Sequence, residues 1–119
     1  MIGNFTDLTT WKRAHELVLQ TYRYTKKFPD EEKFSLVNQM RRASISITSN
    51  IAEGFGRNTA KDKVQFYAMA KGSLCELQNQ AITAKDLGYL NEVDLREFES
   101  TRVEVVRLLA GLMRSAPNR

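Results

Sequence analysis

The chain has 119 residues, enough for a single domain with a buried core. With 42% hydrophobic and 27% charged residues, two prolines and six glycines, the composition excludes a disordered or fibrous polypeptide, and a formal charge of +4 at pH 7 admits an anionic polymer as partner. One histidine and one cysteine exclude a multi-histidine metal centre and an internal disulfide, so the sequence implies no metal and no cofactor.

In chain order, Leu8, Trp11, Ala14, Leu17, Val18, Thr21, Tyr22, Tyr24 and Phe28 recur at spacings of three and four, which predicts a first helix over about 7–27 with a broad buried face. Lys26 and Lys27 suit its carbonyl end, and Pro29 closes it. Asp30, Glu31 and Glu32 then suit the first turn of a second helix, over about 30–53, whose apolar stripe is Leu36, Met40, Ala43, Ile47 and Ile51. Ser44 to Thr48 alternate polar and apolar like a short strand. The helical spacing continues on both sides, however, and no turn residue bounds the alternation, so a helix is expected here too. Small side chains at Ala43, Ser44, Ser46 and Ser49 would let another helix approach closely.

Gly54 and Gly56 predict a left-handed helix end, and Thr59 with Asp62 predicts a capped start for a third helix over about 60–87, carrying Phe66, Ala70, Leu74, Leu77, Ala81, Ala84 and Leu87. Cys75 reads as a small apolar neighbour of Leu74. Gly88 supplies a stop and Asn91 with Asp94 a new start. The last helix, over about 92–114, has one apolar row through Leu95, Phe98, Val105, Leu109 and Leu112. A second row, through Val103, Val106, Ala110 and Met113, hints at self-association. Residues 115–119 read as a frayed tail. Four segments of similar length joined by short connections predict an all-α, antiparallel up-down-up-down four-helix bundle in one domain.

Between Arg41 and Gly72 stand six basic residues and two acidic ones, which concentrates the positive charge. Such a zone can attract nucleic acid by counterion release, or can be a solvated face. Glu53, Glu76 and Gln80 are the polar residues that most need explanation. With Arg42, Asn50 and Ser73 they suggest a hydrogen-bonded network that sets helix register or a subunit contact. A catalytic carboxylate pair is disfavoured because no histidine, ligand set or phosphate loop accompanies it. No apolar run is long enough to span a membrane and the N-terminus lacks the design of a leader, so a cytoplasmic protein with no membrane partner is expected.

Several stretches match a known family together and in order: Leu8 to Ala14, Phe28-Pro29, Gln39-Met40-Arg41-Arg42-Ala43, Ser46-Ile47, Asn50-Ile51-Ala52-Glu53-Gly54, Ala70-Lys71-Gly72-Ser73 with Glu76, and Leu87-Gly88-Tyr89. On these residues the chain resembles the four-helix-bundle proteins encoded within intervening sequences of bacterial 23S ribosomal RNA genes, and more distantly the accessory variability protein of diversity-generating retroelements. The resemblance implies a bacterial, non-enzymatic antiparallel bundle that assembles into a homopentamer. By analogy with the more distant relative, Arg41, Arg42, Arg57, Lys61 and Lys63 become candidate contacts to the phosphates of RNA or DNA. The alternative expectation is a scaffold or adaptor that meets a protein partner and has no nucleic-acid role.

Overall fold

A computed structural model describes residues 3–116, which form a rod with extents of 46 × 25 × 20 Å. Four helices carry it: α1 (Thr9–Thr25), α2 (Leu36–Phe55), α3 (Ala60–Asp86) and α4 (Glu92–Ser115). Each helix packs on its neighbours in sequence, and α4 returns to close the ring against α1. The pairings fix direction. Arg13 meets Glu104, Gln20 meets Thr101 and Tyr24 meets Glu97, so residue numbers rise along α1 as they fall along α4. Ser46 meets Ser73 and Gly54 meets Tyr67 in the same sense between α2 and α3. The all-α four-helix bundle expected from the sequence is therefore the fold, and no strand interrupts α2 among the described residues.

The expected stripes converge except at Leu87, which caps the end of α3 and is 55% exposed. Leu17, Met40, Ile47, Ile51, Leu74, Leu77, Phe98 and Leu109 are each at most 1% exposed and fill the space between the helices. Burial of apolar surface at about 25 cal/mol per Å² is the main force that holds such elements together. Buried hydroxyls are satisfied locally: Thr21 and Thr25 donate to the carbonyls of Leu17 and Thr21, each at 2.8 Å.

The caps explain where helices start and stop. Thr59 Oγ1 accepts from the Asp62 amide at 3.1 Å and Asn91 Oδ1 from the Asp94 amide at 2.7 Å, as the sequence leads one to expect. Gly88 has φ +84, and the Gly88 and Tyr89 amides donate to the Lys85 and Ala84 carbonyls, each at 2.9 Å. That paired arrangement requires a left-handed residue after the helix end.

Several expectations are corrected. First, Asp30–Glu32 form a single 3₁₀ turn, and α2 begins at Leu36 instead of Asp30. Acidic residues favour a helix start, but the one large apolar side chain in residues 30–35, Phe34, is 87% exposed and adds nothing to the core. The α-helix therefore starts only where Leu36 and Val37 meet the core. Likewise Asp7 belongs to a 3₁₀ turn, Phe5–Asp7, capped by Asn4, and α1 starts at Thr9. Second, neither Gly54 nor Gly56 adopts positive φ. Gly54 lies inside α2 because the Tyr67 ring occupies the space of its missing side chain, and a Cβ there would stand 2.6 Å from Tyr67 Cε1. Third, Cys75 is exposed, since one residue beyond the buried Leu74 the helix has turned about 100° toward water. The tail expected at 115–119 is helical at Ser115 and buried at Ala116, and 117–119 lie outside the described residues.

The α1–α4 seam is polar as well as apolar. The buried Tyr24 ring sends its hydroxyl to Glu97, which Arg23 also reaches at 2.9 Å, while Gln20 Nε2 donates to Thr101 Oγ1 at 2.9 Å. The hydroxyl of Tyr24 holds the Glu97 carboxyl below its ordinary range, with Arg23 adding to the effect and partial burial opposing it. Burial first, and the hydrogen bond to Glu97 second, push the Tyr24 phenol up. The lowered carboxyl contributes stability above the unfolded carboxylate range near pH 4.3 and loses it as pH falls through its folded value. The raised phenol contributes stability below about pH 10 and loses it as pH rises through its folded value. Tyr24→Phe is therefore expected to cost about 1 kcal/mol at neutral pH. The melting-temperature gap between wild type and variant should narrow as the buffer is taken from pH 6 to pH 3.

Candidate nucleic-acid interface

Arg41 and Arg42 follow one another on α2 and so diverge by about 100°. Arg41 turns toward α1, where its Nε donates to Thr25 Oγ1 at 2.9 Å and its guanidinium lies 4.5 Å over the Tyr22 ring. Arg42 turns outward and is exposed. Between them runs an open groove of about 540 Å³, walled by Tyr22, Asn38, Arg41, Arg42, Ile45 and Ser46 and containing no carboxylate. An arginine set over a ring by a threonine presents its remaining N–H donors in a fixed orientation, which suits a planar or phosphate acceptor.

The opposite flank of Arg42 opens on a second cleft, about 450 Å³, between α2 and α3, where Asn38, Gln39, Arg42 and Ser46 face Glu76 and Gln80. The Ser46 and Ser73 hydroxyls are 2.8 Å apart, and Asn50 Nδ2 donates to the Ser46 carbonyl at 2.9 Å and its hydroxyl at 3.2 Å. Gln80 is 6% exposed, and its Oε1 has no hydrogen-bond partner among the described residues.

The other basic residues cluster at the α2–α3 turn, about 20 Å further along α2 at 1.5 Å per residue. Arg57 pairs with Glu53 at 3.1 Å and lies 4.5 Å over the Phe66 ring. Lys63 donates to the Phe55 carbonyl at 2.7 Å and the Gly54 carbonyl at 3.3 Å, so its charge serves the carbonyl end of α2. Lys61 is exposed. The five candidate cations thus form two groups, Arg41 with Arg42 and Arg57 with Lys61 and Lys63.

The six polar residues also separate. Asn50 and Ser73 are joined through Ser46, and Arg42, Glu76 and Gln80 share the second cleft, with Glu76 exposed. Glu53 is exposed and stands apart, holding Arg57. Helical spacing alone places Tyr22 in the core and gives no signal for Asn38 or Gln39 as groove residues. Folding the α1–α2 hairpin about its turn sets Tyr22 opposite Arg41, and that symmetry is the signal that could have found the pair.

Bundle, grooves and charge define a four-helix protein with an arginine-rich flank. Among the described residues no group of three His, Cys, Asp or Glu could hold a metal ion, and no helix is long and apolar enough to cross a membrane. The 23S rRNA-intervening sequence protein family matches residues 6–111, and the chain belongs to that family. No curated protein matches the sequence.

Proposed function

We propose that this protein acts without turnover, as a homo-oligomer that binds RNA or another nucleic acid through the groove between α1 and α2. The observation that carries the reading is the pair Arg41 and Arg42 flanking that groove, one preset over Tyr22 by Thr25, with no carboxylate in the wall. Phosphate contacts supply affinity by releasing counterions, and an aromatic wall gives an unstacked base a surface to rest on. Arg57 and Lys61 at the α2–α3 turn provide a second contact on the same strand. Self-assembly, five-fold in the resemblance, multiplies a weak site into a strong one. It has support in Leu19, Ile45 and Val103, which are 54%, 43% and 53% exposed.

Fluorescence anisotropy with a single-stranded RNA between 50 and 200 mM salt tests the reading. Wild type should weaken steeply with salt. Arg41→Gln with Arg42→Ala should lower affinity about tenfold or more and flatten the log-log salt slope by at least about 0.7, the value for one lost phosphate contact on a single strand. Binding that ignores salt, or a double variant that binds like wild type, would remove the proposal. The adaptor reading draws on one observation, Phe34 at 87% exposure beside Lys33, and a partner that stays bound after nuclease treatment would favour it.

A further inference from the structure

The cleft between α2 and α3 has an uncommon composition. The antiparallel pairing that brings Ser46 to Ser73 sets Arg42 opposite Glu76, one turn further on. Both side chains are exposed, and neither forms a hydrogen bond or ion pair with another described residue. A guanidinium and a carboxylate on facing helices that remain apart leave a donor set on one wall and an acceptor pair on the other. At the inner end lies Gln80, more than nine-tenths buried, whose Oε1 has lost water and gained no donor in return. Buried polar atoms almost always have partners; Gln20 Oε1 is a second such orphan, but Gln80 also lines an open cleft, so a modest turn of its amide brings Oε1 to a ligand's donor.

We propose that this cleft takes a single unstacked guanine base, gripped between Arg42 and Glu76 and closed at its inner end by Gln80. The inference rests on the nucleic-acid reading above and adds to it the base that is read. Guanine alone among the standard bases offers two adjacent donors, N1–H and the N2 amine, on one edge and two acceptors, O6 and N7, on another. A carboxylate accepts from the first edge in bidentate fashion and a guanidinium donates to the second. Bases of single strands are free to be splayed out and read in this way. Arg42 borders both clefts, so a strand whose phosphate lies in the α1–α2 groove has its neighbouring base within reach of the second.

The experiment uses the full-length protein and short single-stranded RNAs with one central guanine, replaced in turn by inosine, which lacks the N2 amine, by 7-deazaguanine, which lacks N7, and by adenine. Wild type should bind the guanine strand about tenfold more tightly than each replacement. Glu76→Ala should erase the difference between guanine and inosine while leaving the salt slope unchanged. Gln80→Met, which keeps the volume, should weaken the guanine strand selectively, with a melting curve showing that the bundle remains folded. Free guanosine monophosphate that matches the strand's affinity and loses it in Glu76→Ala would support the base pocket and assign it to a mononucleotide. Equal, salt-dependent binding of all four strands by wild type would overturn the guanine pocket and leave the phosphate-binding reading standing. Failure to bind any strand or nucleotide would overturn both.

Discussion

Replacing Phe98 with alanine should remove about 3–5 kcal/mol of stability, the range for deleting a buried aromatic ring from a core that cannot fully collapse around the gap. Phe98 is 1% exposed and sits on α4 one turn before Thr101, where α4 meets Gln20 of α1. Marginal stabilities of about 5–15 kcal/mol are the rule for domains of this size, so the loss takes a large share of the total. In urea the midpoint should move down with little change in slope. Val103→Ala on the same helix is the control. At 53% exposure it should change stability by less than about 0.5 kcal/mol in a monomer. A larger loss that depends on protein concentration would locate a subunit contact on that face.

The second large effect concerns Gly54, and its sign is informative. In an open helix interior, glycine to alanine stabilises by roughly 1 kcal/mol. Here the new Cβ would meet Tyr67 Cε1 at 2.6 Å, Tyr67 Cδ1 at 2.9 Å and Phe66 Cβ at 3.2 Å. Tyr67 is 2% exposed, so its ring has little room to retreat. Overpacking of this kind costs about 1–3 kcal/mol, enough to offset the propensity gain. Gly54→Ala should therefore be neutral to destabilising, and Gly54→Val, with two further methyl groups and a β-branch, should lose about 3 kcal/mol. Combining Gly54→Ala with Tyr67→Ala should show strong non-additivity in a thermal or urea cycle, because the second change vacates the space that the first needs. A stabilised Gly54→Ala would mean that the glycine only punctuates the chain.

That contrast shows what the sequence can and cannot disclose. Stripes at three-and-four spacing locate all four helices, and Thr59, Asn91 and Gly88 locate their ends, because periodicity and caps are local and leave local signatures. Gly54 misleads because its reason is a ring thirteen positions away on another helix. Asp30 to Glu32 mislead because charge favours a helix start while burial decides whether one persists. The basic residues are legible as a list, yet not as a surface: that Lys63 serves the end of α2 and Arg57 is held by Glu53, while Arg42 is left open, follows only from how the helices are set against each other. Gln80 is legible as an oddity on α3, but its unmatched oxygen is a property of the packed molecule.

The order of the helices around the ring has a kinetic consequence. Three of the four interfaces join consecutive helices across short turns, where closing the chain costs little entropy and folding is fast. Only the α1–α4 interface must wait for most of the polypeptide to return on itself. The contacts of Arg13, Gln20 and Tyr24 with Glu104, Thr101 and Glu97 therefore act as a late latch, the last seam to zip as the bundle assembles.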